Sequence, residues 1–311
     1  MTSKNTLIIG TRGSALALAQ ADMVRAALSA LHPGLDIRRE IIRTTGDRRT
    51  DVPLADVARV SGIVDKGIFI KELETALLEG RIDVAVHSLK DVPSELAPEF
   101  RLPAVLPRAA AEDVLITKEP DWNGRGTLAT GSVRRRLMAR TYWGRQLRFE
   151  DLRGNVPTRL EKLVEHPEWD AVILAKAGLE RLGLYAPETV VQGRKLYMRP
   201  LPVEAFIPAV GQGIVGMECR VSDRKTKELL AGINAAETCV CGVAERTFLV
   251  RLGASCSTPV GVHACLEGDA LVLRAASYVP GREDPFAVVV RGERNATEAL
   301  GILAFEKLGL N

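Results

Sequence analysis

Short β-like runs alternate with helical patterns twice along this chain, and that alternation constrains the fold more than any other feature. Leu7-Ile8-Ile9-Gly10 reads as a strand. Residues 14–31 keep helical apolar spacing up to the stop signal His32-Pro33-Gly34. Residues 37–43 form a second strand, 67–79 a helix ended by Gly80, and 82–87 a third strand. This βαβ grammar predicts a mainly parallel sheet covered by helices. The pattern restarts after Pro107, with strands at 114–117, 127–130, 147–149 and 171–174 and helices at 133–143 and 157–166. Residues 200–219, rich in Gly and Pro with β-like runs, are expected to return to the first domain. A helix over 237–251 then leads into alternating strands at 260–266, 271–278 and 286–291 and a last helix over 296–308. That final set predicts a small antiparallel α+β domain.

A chain of 311 residues suits two or three such domains, and 46% hydrophobic against 26% charged residues predicts a sizeable core. Net charge is only +3, but 31 Arg stand against 11 Lys. Arginine offers a planar, permanently charged fork for carboxylates or phosphates, although a GC-rich genome gives the same bias. The near-neutral balance and scattered aromatics leave no basic stripe, which argues against a nucleic-acid binder built on Arg134-Arg135-Arg136. No stretch approaches a membrane span and no secretory signal is visible, so no membrane partner and a cytoplasmic location are expected. Five cysteines read as reduced thiols. Cys239-Val-Cys241 lacks a second ligand pair and reads as core, with no metal expected, and Cys265 within its apolar run reads as buried.

Three segments place Arg, Ser, Thr or Asn and Gly where a strand turns into a helix. They are Thr11-Arg12-Gly13-Ser14, Thr130-Gly131-Ser132-Val133-Arg134-Arg135 and Arg153-Gly154-Asn155-Val156-Pro157-Thr158-Arg159. Each is either a capped helix with solvated arginines or an anion site made of helix N–H groups, a hydroxyl and a guanidinium. Three in corresponding positions of two α/β domains would face one cleft. Val86-His87-Ser88-Leu89-Lys90-Asp91 ends a buried strand. Beside an anion pocket Asp91 becomes a plausible acid or cation-stabilising carboxylate. Cys256 lies between two serines in a small-residue loop and is either an accessible nucleophile or inert.

Taken together these residues resemble the porphobilinogen deaminase family from about Leu7 to the C-terminal helix. The most specific segments are Asp83-Val-Ala-Val-His-Ser-Leu-Lys-Asp-Val-Pro93, Leu152-Arg-Gly-Asn-Val-Pro-Thr-Arg159, Pro208-Ala-Val-Gly-Gln-Gly213 with Glu218-Cys-Arg220, and the Cys256 loop. The resemblance implies two type II periplasmic-binding-protein-like α/β domains and a small C-terminal α+β domain. On that basis domain 1 is expected over 1–106 and 214–231, domain 2 over 109–199 and domain 3 over 236–311. It implies a transferase that condenses four porphobilinogen molecules head to tail, with loss of ammonia, onto a dipyrromethane cofactor, and then releases hydroxymethylbilane. Cys256 matches the thioether attachment point and Asp91 the catalytic aspartate. Ser88, Lys90, Asp91, Thr130, Ser132, Arg134, Arg135, Arg153 and Gly154 match cofactor-binding positions. Arg12, Ser14, Gln20, Phe69, Arg153, Arg159, Arg181 and Gln212 match substrate-binding ones, and a monomer is implied.

The chain departs from the family pattern in three places. Residues 58–66 are longer than usual, with Lys66 in an altered setting; Gly131 replaces a usual serine; and Ala254-Ser255 stand where two glycines are common. A non-catalytic small-anion-binding protein of the same architecture is the alternative, and it assigns no role to Cys256.

Overall fold

The computed structural model describes residues 6–44, 70–144, 146–253, 259–278 and 284–309. In chain order the first elements are β1 (Thr6–Thr11), α1 (Ala15–Leu31), β2 (Asp36–Ile41), α2 (Lys71–Leu78), β3 (Val84–Ser88) and β4 (Phe100–Val105). There follow β5 (Asp113–Thr117), β6 (Gly126–Ala129), α3 (Val133–Trp143), β7 (Leu147–Glu150), α4 (Val156–Glu165), β8 (Ala171–Ala175) and α5 (Lys176–Arg181). Next come β9 (Glu188–Val191), β10 (Arg194–Pro200), β11 (Val215–Arg220), α6 (Arg224–Ala231) and α7 (Ala236–Arg251). The chain closes with β12 (Val260–Glu267), β13 (Ala270–Ser277), β14 (Phe286–Glu293) and α8 (Thr297–Leu308).

The chain forms two compact units, Met1–Arg108 with Ile214–Val240, and Ala109–Gly213 with Cys241–Asn311. In the first, five strands run in the order β2-β1-β3-β11-β4. Strand β1 is parallel to β2 and β3, while β11 is antiparallel to β3 and β4. Four of the five strands thus run the same way, as expected, and β11 alone is reversed; of the segment expected to return, only the part from Ile214 on belongs to this unit, and the residues up to Gly213 stay with the second. One face buries Ala21, Val24 and Leu28 of α1 against Leu7, Ile9, Val84 and Met217. The other buries Leu73 and Leu77 of α2 against Ile42, Ile82 and Phe100. Full burial of one such aliphatic side chain contributes about 1.5–3 kcal/mol, so these two layers fix where the strand ends lie.

The second unit contains the order β7-β6-β8-β5-β10-β9. Strand β6 is parallel to β7 and β8; β5 is antiparallel to β8, and β10 is antiparallel to β5 and β9. This sheet is mixed as well: β10 runs with the βαβ strands β6, β7 and β8, while β5 and the edge strand β9 run against them. Leaving β9 aside, the order matches that of the first unit, with β5 in the place of β11. Two α/β units of this order are the type II periplasmic-binding-protein-like architecture. A separate antiparallel sheet, β12-β13-β14, completes the second unit. Helix α8 lies so close to α7 that a Cβ at Gly301 would sit 2.6 Å from the Ala244 carbonyl oxygen. The small sheet is tied to the segment before Gly213. Val262 N–H donates to the Pro208 carbonyl at 2.9 Å, and the buried Glu245 carboxylate accepts from Gly211 N–H at 2.6 Å and Ala264 N–H at 2.8 Å.

Cys265 is half-buried rather than buried. It stands one residue out of phase with buried Val262 and Ala264, and its sulfur accepts from Arg274 Nη1 at 3.4 Å. No described helix is long and apolar enough to cross a membrane.

Candidate active site

In the first unit the site is built where β1 and β3 end. Beyond Thr11 the chain turns through Arg12 and Gly13, and Ser14 caps α1 in an extended conformation, its Oγ accepting from Ala17 N–H at 3.3 Å. One turn further along α1, buried Gln20 donates through Nε2 to Ser88 Oγ at 2.7 Å. That bond fixes the end of β3 against the helix. After Ser88 the chain enters a short 3-10 turn, Leu89–Asp91, whose apolar Leu89 is buried while Asp91 is exposed. Arg12, Ser14, Gln20, Ser88 and Asp91 line one pocket. The Asp91 carboxylate has no hydrogen-bond or ion-pair partner among the described residues. Lys90 precedes it, half-buried.

His87, which also lines this pocket, leads to a group of buried carboxyls. His87 Nε2 is 2.8 Å from Glu218 Oε2, with side chains 4% and 0% exposed. Glu218 Oε1 is buried without a partner among the described residues. Burial, and then the nearby Glu218 charge, raise the Glu74 carboxyl above its ordinary value. His87 is thus held through Nε2 by a buried carboxyl group while its ring borders the pocket.

In the second unit, Ser132 caps α3 by accepting from Arg135 N–H at 3.4 Å, and Thr130 Oγ1 accepts from Ser132 N–H at 3.2 Å. The arginines that follow are not solvated. Arg134 and Arg135 are each 6% exposed, and both converge on Asp113, the first residue of β5. Arg134 Nη2 donates to Asp113 Oδ2 at 2.7 Å, and its Nη1 to the Ile207 carbonyl at 2.7 Å and Met138 Sδ at 3.3 Å. Arg135 donates to Asp113 Oδ1 through Nη2 at 2.7 Å and Nε at 3.2 Å, and through Nη1 to the Ile173 carbonyl at 2.9 Å. Gln212 Nε2 joins Asp113 Oδ1 at 3.0 Å and the Ala111 carbonyl at 2.7 Å. Burial alone would raise the Asp113 carboxyl; the Arg134 and Arg135 charges outweigh it and hold the group well below the usual carboxylate range. A guanidinium has five N–H groups, so two on each arginine lie beyond these bonds.

The third turn holds Asn155, which caps α4 by accepting from Thr158 N–H at 3.0 Å. Gly154 sits at φ 115°, a conformation suited to glycine, and a Cβ there would meet Thr158 Cγ2 at 2.9 Å. Arg159 Nε donates to the Gly154 carbonyl at 2.7 Å. The half-buried Arg153 side chain has no hydrogen bond or ion pair among the described residues. Arg181 donates through Nη2 to the Gly213 carbonyl at 2.7 Å, while its buried Nε has no partner among the described residues. Burial depresses its pKa. At Gly131, where the family pattern carries serine, a Cβ would press to 3.0 Å on the Leu152 carbonyl oxygen.

The structure thus brings Arg12, Ser14, Gln20, Ser88 and Asp91 together in one unit, and Arg134, Arg135 and Gln212 together in the other. Sequence reasoning missed Asp113, although a charged residue opening an all-buried strand is itself a signal. Phe69, residues 58–66, Ala254, Ser255 and Cys256 lie outside the described residues.

Fold and site together define a type II α/β protein with a donor set for carboxylate ligands. The family model described as porphobilinogen deaminase, dipyromethane cofactor binding domain, matches residues 7–228, and the porphobilinogen deaminase C-terminal domain matches 239–309. A porphobilinogen deaminase of Roseiflexus sp. (strain RS-1) is 44% identical, over 87% of this chain and 85% of that protein. That of Syntrophotalea carbinolica is 42% identical, over 87% and 82%. The second substrate-binding domain of Lactococcus lactis GlnP overlaps 81% of this chain and 93% of its own, at 10% identity and a TM-score of 0.41. The chain belongs to the porphobilinogen deaminase family. It is a transferase of tetrapyrrole biosynthesis that works with a dipyrromethane cofactor. Its residues fit that polycarboxylate group: the orphaned Arg181 Nε, the unpaired Arg153 fork and the remaining N–H groups of Arg134 and Arg135 are all donors for carboxylates.

Proposed function

We propose that this chain joins four porphobilinogen molecules head to tail on a dipyrromethane primer carried by Cys256, releasing ammonia at each addition, and then frees hydroxymethylbilane by hydrolysis. The observation that carries the reading is the open Asp91 carboxylate in a pocket shared with Arg12, Ser14, Gln20 and Ser88. Porphobilinogen is a pyrrole with acetate and propionate arms and an aminomethyl group. Losing ammonia leaves it as an electrophilic cation, which a fixed carboxylate stabilises. Asp91 is the residue assigned to that role and to the pyrrole N–H protons. Arg12 and the Ser14 hydroxyl are suited to the substrate's arms. Phe69 and Gln20 are assigned to the same substrate site.

The cofactor supplies a tethered pyrrole whose free carbon is the point of chain growth. Ser88, Lys90, Asp91, Thr130, Ser132, Arg134, Arg135, Arg153 and Gly154 are assigned to the cofactor, and Arg153, Arg159, Arg181 and Gln212 to the added units. Permanently charged forks hold such a ligand without depending on pH. Cys256 is assigned the thioether. Cys219 is a poor rival for it, because burial pushes its thiol up to about 11. The labour divides over 1–106 with 214–231, 109–199 and 236–311. A cytoplasmic monomer completes the reading.

Intact-mass measurement of the purified protein, followed by mapping of the Cys256 peptide, tests it. A covalent increment of two pyrrole units on that peptide supports the reading, and active protein of unmodified mass overturns it.

A further inference from the structure

Asp113 is a single, fully buried carboxylate that accepts four N–H groups from three side chains assigned to the ligand, Arg134, Arg135 and Gln212. Two neighbouring guanidiniums buried together repel each other, and one anion between them offsets that repulsion. It cannot neutralise both, so the cluster keeps a net positive charge while each fork is held by bonds in different directions. The Ile207 and Ile173 carbonyls complete the hold. Such an arrangement fixes which N–H groups are used internally and which remain.

We propose that Asp113 is a positioning residue: it locks the Arg134 and Arg135 forks before any ligand arrives, so that a fixed pair of N–H groups on each addresses the acidic arms of the dipyrromethane. The proposal rests on the function proposed above. Donors aligned in advance cost no reorganisation when charge arrives. Without Asp113 the two forks would have to be ordered by the ligand itself, which loses part of the binding free energy.

The test uses full-length protein prepared without cofactor, as wild type, Asp113→Asn and Asp113→Ala, each confirmed folded by circular dichroism. The first readout is the rate at which the two-pyrrole mass increment appears after porphobilinogen is added. The second is kcat and KM of protein already loaded. Both variants should load at least tenfold more slowly and lose at least tenfold in kcat, with KM changed less than threefold. Asn, which keeps one acceptor oxygen, should be less impaired than Ala. Folded Asp113→Asn that melts earlier but loads and turns over within threefold of wild type would overturn the proposal and leave Asp113 a purely structural residue. If neither variant folds, phenylglyoxal labelling of cofactor-free wild type decides: Arg134 and Arg135 should resist reagent while Arg153 reacts, and equal reactivity overturns the proposal. Failure of the parent reading is separate, because wild type would then acquire no increment at all.

Discussion

The two α/β units share a strand order but handle their charges in opposite ways. In the first, the acid that matters is left open: Asp91 rides a three-residue turn, exposed and without a partner among the described residues. In the second, Arg134 and Arg135 are buried and mostly spent on Asp113 and two backbone carbonyls. The difference follows from their tasks. A group that manages protons and a transient cation must reach the reacting atoms, whereas groups that grip a polyanion work best when already ordered. The first unit does have a buried pair, His87 with Glu218, at the edge of the pocket, where it supports the strand that ends in Ser88.

The sharpest way to break this contrast is Asp91→Ala. Turnover should fall by about 10²-fold or more, while the melting temperature stays close to wild type because the side chain is exposed. Near-normal product formation would remove Asp91 from its role and leave the first unit without an open reacting group.

Next in size is His87→Leu, which strands the Glu218 carboxylate in the core. Leaving a buried hydrogen-bonding group unsatisfied costs about 1–3 kcal/mol, read as a lowered urea midpoint; an unchanged midpoint would mean that the pair contributes nothing to the first unit.

Acid titration then probes the second unit. Asp113 has a lower pKa folded than an unfolded aspartate, which lies at about 3.9. A group depressed on folding contributes stability above its unfolded value and loses it as pH falls toward the folded one. The urea midpoint of wild type should therefore drop below about pH 4, and that of Asp113→Asn should drop less steeply. Parallel curves would mean that Asp113 is not ionised in the fold.

The smallest effect belongs to the caps. Ser132→Ala and Asn155→Ala should each cost about 1 kcal/mol, measured by thermal melting. A loss of ligand grip without that loss of stability would assign these side chains to the ligand rather than to their helices.

Much of the frame was legible from local pattern. Helix α3 spans the residues its apolar spacing predicts, and α1 starts at the Ser14 cap, because caps and periodicity are short-range properties. Strand β4 escaped notice because Pro103 interrupts it; the structure puts β4 at the edge of its sheet, where a missing N–H is tolerated. The β9–β10 hairpin turns on Gln192 and Gly193, both at positive φ, and glutamine is not a residue that announces such a turn. The three polar turns were visible as helix starts. The inward course of Arg134 and Arg135 was not, since it depends on an aspartate more than twenty residues upstream that only the folded sheet brings near. Cys256 and Phe69, read from resemblance, lie outside the described residues, so for them the sequence remains the whole argument.

Glu245 carries one more consequence. Its two oxygens close off the N–H groups of Gly211 and Ala264, one in the Pro208–Gly213 motif and one in the small sheet. The C-terminal seventy residues are thus no appendix that could be trimmed, transplanted or expressed apart: severing them would leave a raw amide inside the partner fragment, and both halves should come out of the ribosome prone to clump.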